Sequence, residues 1–136
     1  MKFVSTRDPS KKELSYCDTL LAGLAPDRGL FIPSQYPMVT LDELQALRDA
    51  QYTEVAFAIK KKIIGGDIPD DVLRDLVHKA YTGEKFPLSK NGNITPVREI
   101  EKNFYIQNLS LGPTAAFKDM AMQQLGQEMN YELTKR

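Results

Sequence analysis

Apolar positions in the middle of the chain recur at helical spacing. Leu73, Leu76, Val77 and Ala80 fall at i, i+3, i+4 and i+7, one stripe along an otherwise polar segment, and this pattern predicts a one-sided surface helix. Asp70 or Asp71, following Pro69, supplies its cap, and it ends before Gly83. Upstream, Val55, Ile59 and Ile63 repeat every four residues between Thr53, a candidate cap, and Gly65-Gly66, a stop. A shorter helix begins at Leu41, because Thr40 and Glu43 stand at capping-box spacing and Val39 and Leu44 at the spacing of a hydrophobic staple. Nearer the start, Lys2 to Ser5 reads as a strand, and a helix from about Ser15 carries Leu20 and Leu21 up to Gly23. Pro26, Asp27 and Gly29 then make a turn that feeds a short strand, Leu30 to Ile32, ended by Pro33.

The pattern changes past Gly83. Residues 84–93 have no helical period and contain Pro87, Asn91, Gly92 and Asn93, the composition of a connector. Ile94 to Val97 reads as extended, Glu101 to Asn103 as a turn, and Phe104 to Leu109 as a strand with Phe104, Ile106 and Leu109 partly buried. The last helix carries Phe117, Ala121, Met122, Leu125, Met129 and Leu133 on one stripe, with Glu128 off it. Gly126 costs about 1 kcal/mol relative to Ala inside a helix, which predicts a close approach by a neighbouring element. A strand running into such a helix is half of a βαβ unit, and no local strand completes its sheet. The expectation is a piece of a longer protein: an N-terminal domain over 1–83, a connector over 84–93, and the opening of a second domain over 94–136.

Composition narrows the function classes. Of 136 residues 42% are hydrophobic, enough for a core, and the 18 basic and 18 acidic side chains cancel. That balance argues against a nucleic-acid partner. No run approaches the roughly 20 apolar residues of a membrane span, and Met1 to Lys12 lacks the core of a signal peptide. The expected location is cytoplasmic, with no membrane partner. One cysteine, Cys17, and one histidine, His78, exclude an internal disulfide and argue against a metal site. Cys17 reads as a packed residue and His78 as a solvated or boundary one.

The remaining candidate is Lys118. Gly112 and Pro113 interrupt regular structure and Thr114 can cap, so Lys118 falls within the first turn of the last helix. A cation there opposes the positive end of the helix dipole, and the same field favours the neutral, nucleophilic amine. Asp119 partly offsets that field. Local chemistry leaves two readings open: a solvated charge, or a lysine that holds a carbonyl compound.

The run Gly112-Pro113-Thr114-Ala115-Ala116-Phe117-Lys118-Asp119 resembles the Gly-Pro-Thr-x-Ala-Phe-Lys-Asp signature of the threonine synthase family, pyridoxal-phosphate enzymes of the tryptophan-synthase-β fold type. Gly23 to Pro33 is similar to a second stretch of that family, with Arg28 standing where glycine is common, and Leu41 to Ala80 resembles its N-terminal helices. The likeness covers nearly the whole chain. It implies a mixed α/β fold: a mostly helical N-terminal domain with short strands, then the first strand-helix unit of a fold type II cofactor domain. It further implies that Lys118 is both the catalytic residue and the covalent anchor of pyridoxal 5'-phosphate, and that the substrate is O-phosphohomoserine, converted with water to threonine and phosphate. Phe117 would support the cofactor side of the lysine and Asp119 would orient the helix start. Ser110 and Thr114 lie in the loop before the helix as candidate contacts for the substrate's anionic groups, against a plain turn-forming role. The family's cofactor-phosphate loop and its partner for the pyridine nitrogen have no match before Arg136. The expectation is therefore weak or no cofactor binding and no turnover by these 136 residues alone, the remainder of the catalytic domain being the partner they need. The alternatives are a phospholyase of the same cofactor class and a non-catalytic interaction module.

Overall fold

The computed structural model describes all residues from Met1 to Arg136. Its first unit is a small antiparallel sheet. Strand β1 (Lys2–Ser5) lies in the middle, with β2 (Leu14–Ser15) on one side and β3 (Phe31–Pro33) on the other. Phe3 faces Leu14 across one edge and Pro33 across the other. Ser15 then caps helix α1 (Tyr16–Ala22) by accepting the Asp18 amide, and Gly23 ends it in a positive-φ conformation.

The turn before β3 is held by Asp27, whose carboxylate accepts the Ser5 hydroxyl and the Gly29 amide, both at 2.8 Å. Gly29 is required by packing, because a Cβ there would collide with the Ser5 hydroxyl. Arg28 adopts φ +63, a left-handed conformation. That explains why glycine suits this position in the sequences it resembles: a side chain there costs about 1–2 kcal/mol.

The helical layer consists of α2 (Leu41–Ala46), α3 (Tyr52–Ile64) and α4 (Asp70–Ala80). The capping box of α2 is formed in both directions, Thr40 to Glu43 and back. Two expected caps are not the observed ones. Helix α3 starts two residues earlier than a Thr53 cap allows, from Gln51, and α4 from Pro69, neither with a side-chain cap. Proline lacks an N–H and its fixed φ suits a helix start, so Asp70 and Asp71 enter the first turn, where their charge complements the dipole. The predicted stripe of α4 is buried as drawn: Leu73, Leu76, Val77 and Ala80. With Phe57, Ile64, Ile68 and Cys17 most of these residues form the main core. Phe86, within residues 84–93, and Ile94, just past them, are also buried, and the Phe86 ring lies 6.0 Å from that of Tyr81 at the end of α4.

Beyond it, β4 (Val97–Glu101) and β5 (Phe104–Gln107) pair as an antiparallel hairpin around Asn103, whose φ is +64. Phe104 and Ile106, expected to be partly buried, are 56% and 50% exposed, whereas Leu109 is half-buried. A two-stranded ribbon has no second layer to receive its side chains.

Helix α5 (Lys118–Lys135) packs against α4 and α1, but not on the expected stripe. Phe117, Ala121, Met122 and Leu133 face outward, and Leu125 and Met129 are half-buried. The inner face instead presents Gln124, Glu128 and Glu132. Hydrogen bonding decides the rotation. Glu128 accepts from the Tyr16 hydroxyl at 2.5 Å, the Lys60 ammonium at 2.5 Å and the Gln124 amide at 2.8 Å, drawing α1 and α3 onto one carboxylate. Gly126 is exposed, and a Cβ there would meet nothing within 4 Å, so no neighbour approaches it.

Candidate functional site

Residues 110–117 form a tight bend ahead of α5, and one side chain from the helix's first turn organises it. The Asp119 carboxylate turns back to accept the Thr114 amide at 2.9 Å and the Thr114 hydroxyl at 2.8 Å. Burial opposes its ionisation, but those two bonds and a third from the Ala116 backbone outweigh it and hold Asp119 below the usual carboxylate range. The cap thus runs opposite to the expected one: Thr114 donates, and the acidic residue of the first turn accepts. Gly112 lies against this carboxyl, where a Cβ would come within 2.5 Å of Oδ2. Ala115 adopts φ +54, which lets the loop curl around the carboxylate.

Lys118 follows this locked loop as the first residue of the 18-residue α5. It is exposed, and its ammonium makes no hydrogen bond or ion pair, unlike Lys60, Lys61, Lys62 and Lys79, each paired with a carboxylate. The helix start offers it no stabilising partner. Phe117, beside it, is exposed as well. An accessible, unpartnered amine at a helix start is chemically suited to covalent attachment to a carbonyl group such as that of an aldehyde cofactor.

Ser110 and Thr114 are engaged within the chain. The Ser110 amide and hydroxyl both donate to Asn108 Oδ1, at 2.9 and 2.6 Å, and Thr114 is committed to Asp119. Both make the turn. An anion would reach their hydroxyls only after these bonds open.

The other candidates fall where the sequence expects them. His78 is on the exposed side of α4, 3.3 Å from Glu54. Cys17 is buried, and its thiol is pushed up to about 11 by burial and by the neighbouring Glu132 carboxylate. Not anticipated was a cleft of about 580 Å³ between α3 and α5, with Tyr52, Val55, Ile59 and Leu125 on its apolar walls and Lys60 and Glu128 among its polar residues. Nor was Tyr81, whose hydroxyl donates to the Met120 carbonyl at 2.9 Å, two residues beyond Lys118. The four-residue repeat of Gln124, Glu128 and Glu132 was a readable signal of a second, polar face. Nothing local marks Tyr81.

The site thus consists of a lysine with a free amine at a helix start, behind a loop tied down by a carboxylate. Comparison with known proteins gives the family. Residues 2–81 match the family model "Threonine synthase N terminus", and the chain belongs to that family. It is 44% identical to threonine synthase of Methylobacillus glycogenes, with all of this chain and 29% of that protein covered. Among solved structures, PLP-bound threonine synthase from Brucella melitensis superposes with a TM-score of 0.90 at 40% identity, over 100% of this chain and 28% of that one. Yeast threonine synthase gives 0.86 at 34% identity, over 98% and 26%. The chain therefore spans under a third of the length of the relatives it matches. The mixed α/β fold inferred from the sequence is that of the N-terminal region of these enzymes.

Proposed function

We propose that this chain is the N-terminal part of a threonine synthase that converts O-phosphohomoserine and water to threonine and phosphate in the cytoplasm, with residues 1–83 as its N-terminal domain, 84–93 as connector and 94–136 opening the cofactor domain. One observation carries this reading: Lys118, inside the Gly-Pro-Thr-x-Ala-Phe-Lys-Asp run, is the first residue of α5 and has an exposed amine with no partner. Lys118 would hold pyridoxal phosphate covalently. When bound, that group supplies the electron sink that makes the substrate's carbon-bound protons removable. The chain's own part is proton handling and positioning. The Lys118 amine, exposed at the start of α5, would be the group that carries protons between substrate carbons. Asp119 keeps the preceding loop closed, so the amine reaches the substrate from one direction. Ser110 and Thr114 are proposed neighbours of the substrate's anionic groups, a role that needs their hydroxyls to leave Asn108 and Asp119.

The test is Lys118→Ala in the intact enzyme, following the visible absorbance of lysine-bound cofactor, threonine and phosphate separately. The expected result is loss of the absorbance and of both products. Retained absorbance in Lys118→Ala overturns the assignment. Phosphate release without threonine by the unaltered enzyme would assign it to the phospholyases instead. The 136 residues alone are expected to show neither stable cofactor absorbance nor turnover.

A further inference from the structure

The first turn of α5 is held to the rest of the molecule by little apolar packing. Phe117, Lys118, Ala121 and Met122 are all exposed, and Asp119, though buried, is occupied by its own loop. Met120 is the exception. Its carbonyl accepts the Tyr81 hydroxyl, a bond that spans 39 residues of sequence and joins the end of α4 to the start of α5.

Tyr81 is itself fixed. Its amide closes the last turn of α4 on the Val77 carbonyl at 3.2 Å. Its ring stands edge-on to Tyr52 at 4.9 Å and 83°, with Phe86 at 6.0 Å on another side. Burial and the nearby Tyr52 and Glu128 push its hydroxyl far above the ordinary tyrosine range, so it remains a neutral donor throughout the working pH range. The donor therefore belongs to the packed helical layer, and the acceptor to the turn that carries Lys118. Two residues along an α-helix are about 200° around the axis and about 3 Å along it. A tether on the Met120 side thus leaves the lysine facing away from the helical layer.

We propose that Tyr81 is a positioning residue for Lys118: its hydroxyl fixes the rotation and height of the first turn of α5, and through that turn the direction of the lysine amine. This rests on the reading of Lys118 as cofactor anchor. It gives the N-terminal helical layer a task at the reacting centre, since Tyr81 closes the region that matches the family model.

Tyr81→Phe removes the hydroxyl and leaves the ring packing on Tyr52 and Phe86. In the intact enzyme freed of cofactor, hydrogen exchange of the amides of residues 120–124 should speed up about 5- to 10-fold, while α3 amides stay unchanged; loss of one hydrogen bond of about 1 kcal/mol gives a factor of that size. On adding pyridoxal phosphate, the visible absorbance of the lysine-bound cofactor should grow several-fold more slowly, and in the loaded enzyme kcat should fall with KM little changed. Unchanged exchange at 120–124, or an equal rise across α3 and α4, would overturn the proposal, the second because it marks general loosening. Unchanged capture and kcat despite faster exchange would overturn it too. Lys118→Ala separates the two questions: absorbance that survives there refutes the anchor assignment, whereas the exchange result on the cofactor-free enzyme stands apart from it.

Discussion

Glu128→Ala should be among the most damaging single substitutions on α5, although it replaces a residue that a hydropathy plot would place on the surface. The side chain is fully buried and receives three donors. Removing it strands them unequally. The Tyr16 hydroxyl and the Gln124 amide are mostly enclosed, and each buried donor left unpaired costs about 1–3 kcal/mol. Gln124 already has one unpartnered atom, Oε1. The Lys60 side chain keeps 24% of its exposure and can swing into water, so its loss counts as a surface pair, about 0–1 kcal/mol. Together these give about 2–7 kcal/mol, a range that brackets the usual cost of breaking a buried pair from one side. The assay is urea denaturation monitored by far-ultraviolet circular dichroism, with midpoints compared at equal slope. A second variant isolates the cause: Glu128→Leu combined with Tyr16→Phe and Lys60→Met removes two of the three donors together with the acceptor, leaves only the Gln124 amide stranded, and should recover part of the loss. A loss under about 1 kcal/mol for Glu128→Ala, or no recovery in the triple variant, would refute the reasoning that polar pairing sets the rotation of α5.

The connector and the thiol give two further tests. Phe86→Ala should cost about 3–5 kcal/mol in the same titration, as expected of a fully buried aromatic and not of a residue in a free linker. Cys17, pushed up to about 11, should resist iodoacetamide at pH 8, where about one thiol in a thousand is ionised, and react in native protein only as pH climbs past 10. Because the folded value lies above the ordinary 9.0, its contribution to stability is complete below pH 9 and is lost as pH rises through 11. Urea midpoints for Cys17→Ala and the parent should therefore draw closer above pH 9.

Helix α4 and the capping box of α2 were legible because their signals are local and their surroundings agree with them: an apolar stripe at 3.6 spacing finds an apolar core. Helix α5 reads differently for the opposite reason. It has two usable faces, one apolar at Ala121, Met122, Leu125 and Leu133, the other polar at Gln124, Glu128 and Glu132, and periodicity ranks only the first. The choice was made by Tyr16 and Lys60, which lie more than 60 residues away in sequence. The second strand of the hairpin and the turn at Asn103 were readable, but the first strand runs Val97–Glu101 and shares only Val97 with the segment expected to be extended, and the burial of the side chains depended on layers that a strand pattern does not specify. At the candidate site, position and motif singled out Lys118 and brought in its neighbours. The direction of the cap was not legible, since whether Thr114 or Asp119 donates follows from how the loop folds back, and the Tyr81 bond joins two elements with no sequence feature in common.

The nesting of Gly112 under Asp119 couples the two positions. Two positions seven apart share a single volume: a Cβ at 112 would collide with the Asp119 Cβ as well as its carboxyl, so shortening 119 to alanine does not by itself admit a larger residue at 112. Of the eight residues in the run from Gly112 to Asp119, the two outermost are thus a single steric unit, and a change at either end is felt at the other.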